Sequence, residues 1–250
     1  MAERNKIHVK FCGIRRPEDV QAVNRLQPDF AGFVFAKSKR QVTKEQAAAL
    51  KELLNPGIKT VAVLVNMPAE EAAALANSGI ADLLQLHGDE DAAYIARLKT
   101  MTPAKIIKAI RLKSSDWPGS SGRTKPGNAA CLTSQDEAVD LADANTKLLA
   151  EAAQADYYLF DTFLPDTYGG TGKTFSLSLL NSLPIDKPFF LAGGLDAGNV
   201  PDVIRQVQED VRLFTYFYGV DVSGGIETDG FKDAVKMEAF MKTMPGKEKT

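Results

Sequence analysis

Short β-branched or aromatic runs alternate with helix-forming stretches along nearly the whole chain, and this alternation constrains the fold more than any other feature. The runs are Ile7–Cys12, Phe30–Phe35, Thr60–Val65, Leu83–Leu86, Ala104–Ile110, Tyr157–Asp161, Phe189–Ala192 and Val220–Val222. Strands separated by helices pair in parallel, because a helical crossover returns the chain to the same end of the sheet. Helix starts fall between the runs at Pro17-Glu18-Asp19, Thr43-Lys44-Glu45-Gln46, Pro68-Ala69-Glu70-Glu71, Asp89-Glu90-Asp91, Asp136-Glu137 and Asp196-Ala197-Gly198-Asn199. Each places proline, a hydroxyl, an amide or an acidic group where a helix leaves its first N–H groups unpaired. A last helix is predicted over roughly Phe231–Met244.

Eight such units with no clear linker predict a single α/β domain over residues 1–250, a (β/α)8 barrel with a parallel eight-stranded wall. An open doubly wound sheet is the alternative. Two segments break the rhythm. Ser114–Asn128 is rich in Ser, Gly, Pro and Lys and reads as an enlarged loop after the fifth strand. A linker there would leave two incomplete halves. The stretch Asp210–Phe217 adds apolar residues before the last strand and is a candidate contact between copies of the chain.

Charge and cysteine usage narrow the function. Lys+Arg 30 against Asp+Glu 32 leaves a net charge of -2, which supplies no field for nucleic acid or an anionic membrane. The polar start and the lack of a long apolar run predict a cytoplasmic protein without a membrane span, and the expected partner is a small molecule. Cys12 and Cys131 are too few for a disulfide framework, and neither they nor His8 and His87 fall at metal-ligand spacing, so no metal site is expected.

In a closed barrel the chemistry gathers where strands end and loops begin. A period of two puts Lys10 and Cys12 on one face, where the ammonium would favour a thiolate able to act as a base. The plainer alternative is that Cys12 is a small buried apolar residue. Asp161 ends the run Tyr157-Tyr158-Leu159-Phe160, so a carboxyl emerges from apolar surroundings as a candidate general acid; a helix cap is the rival role. Gly193-Gly194 and Ser223-Gly224-Gly225 follow adjacent strands, the pattern of a phosphate site made from backbone N–H groups. Gly169–Lys173 lacks P-loop spacing and reads as a flexible loop over a ligand. Arg40 sits in a basic loop after the second strand, where it either pairs with a carboxylate or is solvated.

These residues carry a resemblance that covers nearly the whole chain. Lys10-Phe11-Cys12-Gly13-Ile14, Gly32-Phe33-Val34-Phe35 with Ser38-Lys39-Arg40, Gln85-Leu86-His87-Gly88-Asp89, Phe160-Asp161-Thr162, Leu191-Ala192-Gly193-Gly194-Leu195 and Val220–Glu227 stand in the order of the phosphoribosylanthranilate isomerase family, which the chain resembles. The resemblance implies an Amadori rearrangement of N-(5-phosphoribosyl)anthranilate to 1-(2-carboxyphenylamino)-1-deoxyribulose 5-phosphate in tryptophan biosynthesis, with no metal or organic cofactor. It implies Asp161 as the acid that opens the furanose ring and Cys12 as the base that removes the C2′ proton. Arg40 and His87 then bind substrate, Arg40 through the anthranilate carboxylate, and Gly193, Gly194, Ser223, Gly224 and Gly225 bind phosphate. The chain departs from the family in its longer fifth loop and in Ser223-Gly224-Gly225, where S-S-G is commoner. Another phosphosugar barrel enzyme, or a non-catalytic barrel that binds a phosphorylated metabolite, is the alternative. A monomer and a homodimer are both compatible with the sequence.

Overall fold

The structure, a computed structural model, describes residues 6–112, 145–161, 177, 180 and 183–246. Eight parallel strands close on themselves in sequence order. They are β1 (His8–Cys12), β2 (Phe30–Val34), β3 (Lys59–Leu64), β4 (Leu83–Leu86), β5 (Lys105–Arg111), β6 (Tyr157–Asp161), β7 (Phe189–Ala192) and β8 (Phe217–Val222). The helices are α1 (Pro17–Leu26), α2 (Lys44–Glu52), α3 (Ala69–Asn77), α4 (Ala92–Met101), α5 (145–151), α6 (Val200–Glu209), α7 (Val211–Tyr216) and α8 (Ala234–Lys242). The barrel read from the alternation is therefore the observed fold, and β1 pairs with both β2 and β8. The enlarged loop at 114–128, the segment Gly169–Lys173, Cys131 and the helix start at Asp136-Glu137 lie outside the described residues.

Local chemistry explains the helix starts. Thr43 and Gln46 exchange side-chain and backbone hydrogen bonds across the first turn of α2, at 3.2 and 2.9 Å. Asp91 accepts from Tyr94 N–H at 2.8 Å, so α4 begins one residue after the acidic run, and the buried Glu90 turns inward instead. Asp210 accepts from the N–H groups of Arg212 and Leu213 and starts α7.

Two sequence expectations change at the end of the chain. The last strand begins at Phe217 rather than Val220, and the apolar stretch before it is α7, whose Leu213 packs into the core along with Phe217. Those two side chains are thus not available to a neighbouring copy. The last helix begins at Ala234 rather than near Phe231, because Asp233 caps it and Phe231–Lys232 forms β10, a strand paired antiparallel with β9 (Glu227–Thr228).

Strand alternation sorts the side chains into two layers. One face of each strand, including Val9, Phe11, Ala31, Phe33, Leu84 and Leu191, packs under the helices. The other fills the barrel with Phe30, Val61, Leu83, Ile107, Ala109, Leu159, Phe190 and Ala192, joined by Tyr157 and Tyr218. A register shift between β7 and β8 opposes Phe190 to Gly219 after Phe189 opposes Phe217. The extra residue lets Tyr218 join the interior while Val220 and Val222 remain in the outer layer. Phe190 meets Tyr218 at 5.1 Å, Phe30 at 5.7 Å and Tyr157 at 6.0 Å between ring centres. Phe190→Ala is expected to cost about 3–5 kcal/mol, read as a lower midpoint in urea with an unchanged slope. A loss below 1 kcal/mol would mean that this aromatic layer is not where the barrel is held.

Candidate active site

At the carboxyl end of the barrel the inward positions become polar. Lys10 and Cys12 share the inner face of β1, as their spacing predicts, and both are buried. Lys10 Nζ donates to Asp221 Oδ2 on the neighbouring β8 at 2.9 Å. The other Asp221 oxygen is buried with no hydrogen-bond partner among the described residues. Gly32 on β2 makes room for this group. A Cβ there would lie 3.0 Å from Cys12 Sγ and 3.2 Å from Lys10 Nζ, so a larger residue would press on both.

The electrostatics depart from the simplest reading of Lys10. Burial pushes the Cys12 thiol above its ordinary value; Lys10 opposes that rise, and the Asp221 carboxylate adds to it. Lys10 itself would be depressed by burial, but Asp221 and Cys12 hold it above its ordinary value. The lysine therefore favours the thiolate as expected, yet desolvation wins and the resting group is a thiol.

Asp161 ends β6 on the inner face, three strands round from β1. Its Oδ2 lies 3.4 Å from His87 Nε2, which brings the predicted acid and a predicted substrate-binding residue together. His87 follows β4 directly. Its N–H donates to Leu64 O at 2.8 Å and its carbonyl accepts from Arg111 at 2.9 Å. A buried ion pair braces the next residue: Lys108 Nζ donates to Gly88 O at 2.7 Å and to Glu90 at 2.8 Å, while Glu90 accepts the N–H groups of Gly88 and Asn66. The sequence reading missed this pair. A lysine inside the apolar run of β5 was the signal for it, since a buried ammonium requires a partner.

Arg40 is not solvated. Its Nε and Nη2 donate to the two oxygens of Glu227 at 2.7 and 2.8 Å, a two-point pair that takes one edge of the guanidinium. Glu227 also accepts from Lys232 at 2.7 Å, and Lys232 donates to Ser223 O at 3.0 Å. Ser223 Oγ donates to Cys12 O at 3.0 Å. Glu227 and Lys232 were not singled out beforehand, because only the β9–β10 hairpin brings them over the end of β8.

The two glycine loops also meet. Gly193 and Gly194 have φ of 97° and 65°, a left-handed path that a side chain would strain. Asn199 Nδ2 donates to Gly194 O at 2.8 Å and fixes the turn. Gly225 lies so close to this loop that a Cβ on it would sit 2.0 Å from Leu195 O. Gly193, Gly194, Ser223, Gly224 and Gly225 thus line adjoining loops after β7 and β8, where barrels of this kind place phosphate.

Comparison with known proteins identifies the family. The family described as N-(5'phosphoribosyl)anthranilate (PRA) isomerase matches residues 9–121 and 133–243. The N-(5'-phosphoribosyl)anthranilate isomerase of Thermoanaerobacter sp. (strain X514) is 40% identical over 240 residues, 96% of this chain and 98% of the relative. Among solved structures, TrpF from Jonesia denitrificans superposes with a TM-score of 0.67 at 27% identity, covering 95% of this chain and 96% of that one. Phosphoribosyl anthranilate isomerase from Thermotoga maritima follows at 0.65 and 27%, covering 95% and 98%. With its closed barrel and a family match that runs from β1 into α8, the chain belongs to the phosphoribosylanthranilate isomerase family.

Proposed function

We propose that the isomerase reaction of this family, a step of tryptophan biosynthesis, runs on this chain through Asp161 as general acid and Cys12 as general base. The observation that carries the reading is their shared placement, both on inner faces at the carboxyl ends of strands three places apart round the barrel. A ligand held between them meets one proton donor and one acceptor on opposite sides. Asp161 gives its proton to the furanose ring oxygen, the C1′–O bond opens and an imine forms. Cys12 takes the C2′ proton, which leaves an enolamine that tautomerises to the ketone.

Three further contacts hold the substrate. The loops at Gly193-Gly194 and Ser223-Gly224-Gly225 receive the phosphate through backbone N–H groups. His87 lines the mouth beside Asp161. Arg40 receives the anthranilate carboxylate. Because Glu227 occupies the Nε/Nη2 edge, the substrate takes the Nη1/Nη2 edge, which keeps a two-point contact available. The residues 1–250 form one barrel domain, working in the cytoplasm as a monomer or a homodimer on this small phosphoribosyl substrate, with no nucleic-acid or membrane partner. No helix among the described residues is long and apolar enough to cross a membrane.

Replacing Cys12 by Ser or Asp161 by Asn is expected to lower kcat by roughly 10²–10⁴-fold, the contribution of one positioned proton-transfer group. Both variants should still bind a reduced product analogue in calorimetry. The raised thiol adds a pH signature. With Cys12 resting as a thiol, the thiolate that acts as base is a minor form at neutral pH, and the thiol is the group that titrates on the alkaline side. The alkaline fall in kcat/KM then begins above the ordinary thiol range of about 8.5. A fall that begins near neutrality, or wild-type turnover by Cys12→Ser, would remove the cysteine from the base role.

Arg40→Lys is expected to weaken substrate binding by about 1.5 kcal/mol, since an ammonium keeps the charge but cannot serve Glu227 and the substrate on two planar edges. Equal KM values for Arg40→Lys and the unchanged protein would end the carboxylate reading.

Glu227 supports Arg40, and its own titration provides a check. Burial alone would raise its carboxyl, but the hydrogen bonds from Arg40 and Lys232 outweigh that and hold it down at about 2, from 4.5. A depressed carboxyl contributes stability that is complete above pH 4.5 and lost as pH falls toward 2. Glu227→Gln is therefore expected to be less stable than the unchanged chain at neutral pH, with the gap narrowing on acidification below 4.5. A gap that stays constant with pH would show that the loss is one of packing rather than charge.

A further inference from the structure

The acid has a neighbour whose own partner bears on the chemistry. Gln85 lies on the inner face of β4, is 1% exposed, and points its side-chain Nε2 at His87 Nδ1, 3.0 Å away. An amide nitrogen only donates, so in this arrangement His87 Nδ1 accepts and its proton resides on Nε2. Nε2 is the nitrogen that faces Asp161 Oδ2 at 3.4 Å. The far end of the amide does not choose between its two orientations. Gln85 Oε1 is buried with no hydrogen-bond partner among the described residues, so the glutamine does not satisfy its carbonyl here.

We propose that Gln85 is a positioning residue that holds His87 in the Nε2–H tautomer, so that His87 donates to Asp161 and stabilises the carboxylate that appears when Asp161 gives up its proton. This rests on the reading of Asp161 as the general acid. The proton balance is simple. The acidic proton is carried on Oδ1 and leaves for the ring oxygen, while Oδ2 accepts from His87 throughout. Before transfer Oδ2 is a neutral carbonyl oxygen, which attracts an N–H only weakly, and the two atoms stand 3.4 Å apart. As the ring opens the carboxyl becomes an anion, and a bond to an ionised acceptor is roughly twice as strong. The gain is realised in the transition state and not in the bound substrate, which is the condition for an interaction to raise kcat.

With the opposite amide orientation Gln85 would accept from Nδ1–H, and a bare Nε2 would face Asp161. That arrangement would favour the protonated acid and oppose its discharge. One rotation of a buried amide thus decides whether His87 assists or resists the acid. The surroundings limit where the ring can lie. The His87 backbone is tied to Leu64 and Arg111, and the adjoining Gly88 is tied to the Lys108–Glu90 pair, so the ring has a fixed place between Gln85 and Asp161.

The sequence makes the test direct, because the chain contains only 2 histidines, His8 and His87. Protein labelled with 15N in histidine alone gives two imidazole spin systems, and a His8→Asn variant assigns them. At about pH 8, above the ordinary imidazole range, His87 is expected to show a protonated Nε2 and a bare, hydrogen-bonded Nδ1. Gln85→Leu is expected to shift the Nδ1 resonance and to lower kcat about tenfold with KM within about twofold, as losing the partner that orients a functional histidine does elsewhere. Gln85→Glu, which keeps the shape but can only accept when ionised, is expected to move a proton onto Nδ1 and to lower kcat as well.

A proton on Nδ1 in the unchanged protein overturns the proposal, and that spectrum needs no variant to fold. So does an unchanged kcat in folded Gln85→Leu. The acid reading fails separately, if Asp161→Asn keeps its turnover while His87 still shows the Nε2–H tautomer. If Asp161→Asn is inactive and His87 carries its proton on Nδ1, the acid stands and the role of Gln85 falls.

Discussion

The pairing of β1 with β8 is the constraint on which the site depends, because it closes the barrel and sets Lys10 directly opposite Asp221. Neither group would be stable there alone. A buried ammonium or carboxylate without a partner costs several kcal/mol, and a charge left in such surroundings is neutralised instead. Paired at 2.9 Å they keep a positive and a negative charge inside the wall, two residues before Cys12 on the same face of β1. The thiol therefore sits against an ordered field rather than against solvent, and the net effect on it is a contest that burial wins.

A second level of order links the loops. Arg40 after β2, Ser223 after β8 and Cys12 at the end of β1 come from distant parts of the chain, yet Glu227 and Lys232 join them through one continuous set of hydrogen bonds. The β9–β10 hairpin provides the frame. The proposed carboxylate contact and the proposed phosphate loop are thus held by the same pair of side chains, which ties the two ends of an extended ligand to one rigid reference. On the other side of the mouth, Lys108 and Glu90 do the same for the loop that carries His87. Buried ion pairs mark both places, and in each the ammonium also donates to a backbone carbonyl, Lys232 to Ser223 O and Lys108 to Gly88 O, which helps to make burial tolerable.

Periodicity and end signals made the strands legible. The run Phe189–Ala192 is apolar on both faces, as a parallel strand covered by helices must be, and its bounds and those of Leu83–Leu86 in the structure agree with the sequence reading. The boundary at β8 was not legible, because Leu213 and Phe217 are apolar in a helix and a strand respectively and no period separates them over so short a stretch. Cys12, Asp161 and the two glycine loops could be found because they stand where an apolar run meets a turn. The partners of Glu227, Lys232, Glu90 and Gln85 could not, since an acid, a base or an amide in a strand or loop says nothing of what it will face.

The sequence by itself determined the order of strands and helices, the faces on which Lys10 and Cys12 lie, and the family, because each follows from local spacing or from motifs in a row. Only the tertiary structure decided that Arg40 is held by Glu227, that His87 stands between Gln85 and Asp161, and that burial outweighs Lys10 in setting the Cys12 thiol. These depend on distances between residues far apart in the chain and on how completely water is excluded around them. Closing the ring fixes both quantities at once, and no local pattern encodes either.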